Sequence, residues 1–175
     1  NNNQAPSIDT QEVKIEDGVV NNKEVDERVT IMAVGDVMLS RTVGQKMKVL
    51  GYDYPYVKTA DLISNADLAF ANLETAITPG KEVKSGEMMF RADPESLVAF
   101  KNAGFDIVSL ANNHTPNYGQ KGLLDTFKYL NDQQIKYVGA GKDFNEASQL
   151  VVTEVKNIKI GWLAYNADDV VPDSY

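Results

Sequence analysis

The chain has 175 residues, 17 of them basic and 25 acidic, for a formal net charge of −8. That length holds one domain with room for a tail, and that charge repels a phosphate backbone, which argues against nucleic acid as a partner. There is no cysteine and a single histidine, His114, which excludes disulfides, zinc ribbons, iron–sulfur clusters, thiol nucleophiles and any metal site built on several imidazoles.

Residues 1–28 differ from the rest. Asp9, Glu12, Glu16, Asp17, Glu24, Asp26 and Glu27 outnumber Lys14, Lys23 and Arg28, and large apolar side chains are few. Such a stretch cannot bury enough apolar surface to offset its ordering entropy. It reads as an acidic polar linker or arm, held by a neighbouring chain wherever it is ordered. The start at Asn1, without a signal-type apolar region, reads as a processed or trimmed product. No apolar run approaches the ~18 residues of a membrane span.

The ordered portion is expected over 29–175. Residues 29–34 are apolar and β-branched and precede Gly35-Asp36, which predicts a buried strand ending in a turn. Helices are expected over 42–50 and 56–64, then a second buried strand over 67–71 running into Asn72-Leu73-Glu74. Residues 75–88, rich in Gly, Lys and Glu, read as a long exposed loop. Asp93 as a cap and Pro94 at the first helical position open a helix that Gly104 closes. A third strand over 105–111 runs into Asn112-Asn113-His114. Leu123, Phe127 and Leu130 mark a further helix, residues 137–139 a strand, and 143–149 a short helix. A hairpin over 150–155 and 158–165 turns at Lys156-Asn157. Strands alternating with helices imply an α/β fold with a largely parallel sheet covered on both faces.

Ligands of such sheets bind at the carboxyl ends of the strands. Three buried strands end there in Gly35-Asp36, Asn72-Leu73-Glu74 and Asn112-Asn113-His114. Asp and Glu offer hard oxygen ligands, Asn an amide oxygen and His a nitrogen. Together they can hold one or two divalent ions and activate a water. Each piece alone has a plain structural reading: Gly-Asp and Asn-Asn are turn formers, Glu74 suits a loop, and a lone histidine suits a core. Their shared edge favours a site, in which Asp36, Glu74, Asn113 and His114 are expected to cluster. Arg41 can pair with a substrate phosphate or carboxylate, or equally with Asp53 or another surface acid.

These motifs resemble a known family. Residues 34–41 (Val-Gly-Asp-Val-Met-Leu-Ser-Arg), Ala71-Asn72-Leu73-Glu74, and Ser109-Leu110-Ala111-Asn112-Asn113-His114 followed by Tyr118-Gly119 are similar to the bacterial poly-γ-glutamate capsule synthesis (CapA-like) family. That family is itself similar to calcineurin-like metallophosphoesterases. The resemblance implies the N-terminal part of an α/β/β/α sandwich around a divalent-metal site (Mn, Fe, Zn or Mg), with up to two ions in the full-length form. It implies Asp36, Glu74, Asn113 and His114 as metal ligands. It gives His114 a catalytic role, protonating the leaving group or orienting the phosphate, and lets Asn72, Asn112 and Arg41 line the substrate.

Two departures stand out. The family usually has Asp-Tyr-Gly after Asn-Asn-His, where this chain has Asn117-Tyr118-Gly119, which removes a carboxylate near His114. The family also continues into a second half with further histidines. The chain therefore reads as a fragment or cleaved form, expected to bind metal weakly, to show little phosphatase activity and to form a homodimer or swapped assembly. The function implied is capsule biosynthesis, poly-γ-glutamate or a related anionic polymer, as a metal-dependent phosphoesterase-type hydrolase. The other reading is a non-catalytic scaffold or polymer-binding subunit. Partners would be synthase subunits and an anionic polymer or phosphoester, at the extracellular face of the membrane, anchored by an N-terminal segment absent from this chain.

Overall fold

A computed structural model describes residues 28–167; the expectation of an acidic arm falls almost wholly on residues outside that range. The first strand, β1 (Ile31–Val37), is followed by α1 (Arg41–Leu50). Pro55 then lies in a single 3-10 turn at Tyr54–Tyr56, and α2 (Ala60–Ser64) is a separate short helix. The expected continuous helix over 56–64 is thus broken at Thr59, whose φ of −124° is outside the helical region. Next come β2 (Leu68–Leu73), β3 (Ala76–Ile77), β4 (Arg91–Ala92), α3 (Glu95–Asn102) and β5 (Ile107–Ser109). The chain continues through α4 (Gly119–Asp132), β6 (Lys136–Val138), α5 (Phe144–Ala147), β7 (Val151–Val155) and β8 (Ile158–Trp162). The architecture is α/β, as the alternation implied.

The main sheet is parallel, in the order β1-β2-β5-β6. Ala69, Ala71 and Leu73 of β2 are fully buried on one face. There they join Val108, Leu110, Leu97 and Phe100 in the core. Phe100 and Phe105 stack at 4.1 Å, with Tyr56 edge-on to both. Gly104 closes α3 with φ +106°, and a Cβ there would lie 2.7 Å from the Ser64 backbone. Glycine is required at that crossing both for its φ and for its lack of side chain.

The second face is covered less than expected. Phe70 stacks on Trp162 of β8 at 5.4 Å, but Ile31, Ala33 and Gly35 on the same side of β1 are exposed. The β7–β8 hairpin turns at Lys156-Asn157 as expected, and both residues take positive φ, 48° and 63°, the primed-turn geometry that matches strand twist. Lys156 Nζ donates to Asp67 Oδ1 at 2.8 Å and to the Arg28 carbonyl at 2.9 Å. This pins the hairpin tip to the start of β2.

The stretch over 75–88 is not simply an exposed loop. Thr75, Ala76, Ile77, Thr78 and Val83 are buried, because β3 pairs in parallel with β4 after a long excursion. Arg91, 3% exposed, locks that excursion. Its Nε donates to the Lys81 carbonyl at 2.9 Å, and one terminal nitrogen donates to the Thr78 carbonyl at 2.7 Å and to Asp93 Oδ1 at 2.8 Å. Asp93 consequently does not cap α3. Its carboxylate is taken by Arg91 and Lys48, and the helix opens instead with the Ser96 hydroxyl on the Asp93 carbonyl at 2.6 Å. Burial opposes ionisation of Asp93, but the hydrogen bonds from Arg91 and Lys48 outweigh it and hold the carboxyl below its usual range.

Two outcomes follow from these ties. Removing one partner of a buried ion pair leaves the other uncompensated, so Arg91→Ala is expected to cost roughly 3 kcal/mol or more in urea unfolding. The second concerns Asp67, whose carboxyl the Lys156 ammonium and the Thr30 donors hold down to about 2. A depressed carboxyl contributes its full stability above its unfolded value of about 3.9 and loses it as pH falls through the folded value. The fluorescence of Trp162, the only tryptophan, should therefore report hairpin release between about pH 4 and 2, and Asp67→Asn should loosen the hairpin already at neutral pH.

Candidate functional site

The strand order makes neighbours of the three strands whose ends carry polar motifs. An irregularity in β1 then aligns them. Ala33 pairs with Phe70, but Asp36, three residues on, pairs with Asn72, only two residues on. This one-residue bulge turns Asp36 to the face that Asn72 shares with Phe70. Asn72 Nδ2 donates to Asp36 Oδ1 at 2.7 Å, and Asn112 Nδ2 donates to Asn72 Oδ1 at 3.0 Å and to the Leu73 carbonyl at 3.1 Å. The amides of Asn72 and Asn112 thus bridge β1, β2 and the loop after β5. Asn112 Oδ1 accepts from the backbone N–H groups of His114 and Thr115, so the same residue shapes the turn that follows.

That turn sets His114, 7% exposed, with Nε2 3.9 Å from Glu74 Oε1. The separation is too long for a hydrogen bond. Asn113 stands half-buried between Asn112 and His114. Burial raises the Glu74 carboxyl first, the nearby charge of Asp36 raises it further, and His114 opposes both without cancelling them. Two carboxylates therefore face one region with too little positive charge beside them.

Of the residues named from sequence, the structure links Asp36, Asn72, Asn112 and the His114 backbone by hydrogen bonds and sets Glu74 3.9 Å from the His114 ring without one. It does not close them into a cage: among the described residues no three His, Asp or Glu side chains stand together as a group that would hold a metal ion. Arg41 pairs neither with Asp53 nor with a strand-end acid. Its guanidinium lies over the Phe90 ring at 5.5 Å from the centroid, and its backbone takes the uncommon φ of +52° for a non-glycine residue. Phe90 in turn stacks on the His114 imidazole, centroids 3.8 Å apart and planes at 22°. Sequence reasoning missed Phe90 because it lies just beyond the stretch that reads as an exposed loop, in residues assigned to no element. Asn117 stood out only as a departure, although its side chain contacts both rings' residues. Beside the network lies a cavity of about 280 Å3, lined in part by Leu110, Asn112, Gly139, Phe144 and Tyr165.

Comparison with known proteins places the sequence in a family. Residues 30–174 match the bacterial capsule synthesis protein family PGA_cap. The chain is 31% identical over 143 residues to the capsule biosynthesis protein CapA of Bacillus anthracis, covering 79% of this chain and 35% of that protein. It is 27% identical over 143 residues to the PGA biosynthesis protein CapA of Bacillus subtilis, covering 80% and 38%. To a probable polyglutamine synthesis accessory protein of Mycobacterium tuberculosis it is 28% identical over 156 residues, covering 85% and 41%. The chain spans 35–41% of the length of these relatives. It belongs to the bacterial capsule synthesis family.

The raised Glu74 carboxyl generates a test. An acid whose folded value is raised favours the fold below its unfolded value of about 4.3 and costs stability once pH exceeds the folded value. In EDTA at pH 7, Glu74→Gln should therefore raise the melting temperature above that of the unsubstituted protein. The difference should shrink towards pH 4, where Glu74 is itself protonated. A lower melting temperature at pH 7 would show that Glu74 is not under electrostatic strain.

Proposed function

From its membership of the capsule synthesis family, we propose that this chain serves the biosynthesis of an anionic capsule polymer, poly-γ-glutamate or a relative of it. We propose further that it does so as the strand-end portion of a metal-dependent phosphoesterase-type site. The observation that carries this reading is the placement of Asp36, Glu74 and His114 at neighbouring strand ends, with His114 3.9 Å from Glu74 and the Glu74 carboxyl raised by burial and by Asp36.

The donor set fits a hard divalent cation: two carboxylates short of positive charge, the Asn113 amide oxygen and one imidazole nitrogen. Those four residues would hold it. When bound, such an ion neutralises charge on a phosphoryl oxygen and makes a bound water nucleophilic. The chain's own groups do the rest. Asn72 occupies one oxygen of Asp36 and fixes that carboxylate. Asn112 holds the loop that carries His114. Hydrolysis breaks the bond from phosphorus to the leaving oxygen, which departs with a proton; His114 Nε2 is placed to handle that proton when it is not itself holding the ion, since its one lone pair serves a single partner at a time. Arg41, stacked on Phe90, offers a guanidinium to an anionic substrate, which matters in a chain of net charge −8.

A non-catalytic scaffold that binds polymer or synthase subunits is the second reading. The absence of a three-residue metal cluster among the described residues favours it. In either case we place the protein at the outer face of the cell membrane beside synthase subunits. No helix among the described residues is long and apolar enough to cross a membrane, so the anchor would lie outside them. The uncovered face of β1 supports a homodimer or swapped assembly, which light scattering reads.

Calorimetric titration with Mn2+ separates the readings. Weak binding is expected for the 175-residue chain, reduced at least about tenfold by Asp36→Asn, with little hydrolysis of an aryl phosphate. Binding that ignores Asp36→Asn would overturn the proposed site. No Mn2+ binding, with polyglutamate binding retained, would favour the scaffold.

A further inference from the structure

We propose that Asn117 is a positioning residue: its side-chain oxygen holds neutral His114 with the proton on Nδ1, leaves the Nε2 lone pair facing Glu74, and ties that ring to the strand end carrying Phe90. Two contacts converge on this one atom. The Phe90 backbone N–H donates to Asn117 Oδ1 at 2.7 Å, and His114 Nδ1 lies 2.9 Å from the same oxygen.

The donors and acceptors determine the proton's place. A backbone N–H can only donate, so the Asn117 atom that meets Phe90 is the carbonyl oxygen and not the amide nitrogen. A carbonyl oxygen carries no proton to give. The His114 nitrogen beside it must therefore be the donor, and in the neutral ring Nδ1 bears the hydrogen. Nε2 is then an acceptor, 3.9 Å from Glu74 Oε1. The Asn117 N–H also donates to the His114 carbonyl at 3.1 Å, closing the turn that keeps amide and ring together. Phe90 covers one side of the imidazole at 3.8 Å, and its own position depends on the same amide oxygen.

The consequence bears on the proposed site and rests on that reading: neutral His114 enters it as a ligand or proton acceptor, and becomes a proton donor only after Nε2 has taken a proton. The placement of the hydrogen itself does not rest on that reading. An Asp at 117 would preserve the acceptor while adding a charge. Asn117 thus keeps the orientation and omits the charge.

The chain has one histidine, so a long-range 1H–15N spectrum of metal-free protein contains a single imidazole. At a pH where that ring is neutral, the protonated-nitrogen pattern is expected on Nδ1 and the lone-pair pattern on Nε2. Asn117→Asp should retain this assignment. Asn117→Ala should lose it and speed exchange of the Phe90 amide about five- to thirtyfold. A hydrogen on Nε2 in the unsubstituted protein would overturn the proposal on its own, whether or not the variants fold. An unchanged assignment in folded Asn117→Ala would overturn it as well. Because the sample contains no metal and no substrate, failure here is distinct from failure of the phosphoesterase reading, which the Mn2+ titration decides.

Discussion

One register shift in the edge strand underlies the arrangement of this site. Without the bulge between Ala33 and Asp36, Asp36 would stand one residue out of phase and turn to the opposite face of the sheet. With it, the carboxylate meets the amide of Asn72, and Asn72 meets Asn112. The bridge is built from neutral amides. It joins three chain segments next to two carboxylates without adding a charge of either sign. A lysine or arginine in that place would have neutralised the acids. The polar chain therefore both orders the strand ends and leaves in place the Asp36 charge that adds to burial in raising Glu74.

A second support comes from the segment between β3 and β4. Arg91 is buried among carbonyl oxygens and one carboxylate, and its backbone N–H donates to the Ser40 hydroxyl at 3.1 Å. The Leu39 N–H donates to the Thr75 hydroxyl at 3.0 Å. These contacts tie the end of the β1 segment, where Arg41 takes its uncommon φ, to the segment that delivers Phe90. The stacked series Arg41, Phe90 and His114 is thus assembled from three distant stretches of sequence. The backbone N–H groups of Phe90 and His114 are each held by an asparagine side-chain oxygen. A side chain placed this way loses little further entropy when it meets a ligand.

Family membership and geometry bear on different questions. The match over residues 30–174 places the chain among capsule synthesis proteins. The site geometry speaks to chemistry: two carboxylates and one imidazole at neighbouring strand ends, with Asn112 shared between them and a partly apolar cavity. Ile31, Ala33 and Gly35 of β1 remain exposed on the face from which Asp36 projects. Solvent reaches that side of the site, which weakens every electrostatic interaction made there.

Much of the fold was legible because it depends on local pattern. The apolar run before Asp36, the spacing of Leu123, Phe127 and Leu130, and the Lys156-Asn157 turn each carry a period or a φ preference that acts within a few residues. The polar strand ends could be named for the same reason, since buried strands stop where such residues begin. What sequence could not supply was anything set by contact between segments. Asp93 has the chemistry of a cap, yet a buried guanidinium two residues away outcompetes the helix for its carboxylate. Ala76 and Ile77 carry too few residues to announce a strand and pair only because Arg91 and Ala92 return to meet them. Phe90 looks like an unassigned residue just beyond a solvated loop until His114 covers it. By itself the sequence determined the alternation of strands and helices and which residues could do chemistry. The tertiary structure alone decided their register, their partners and the proton on His114, because bulges, ion pairs and ring stacks depend on distances that no spacing along the chain encodes.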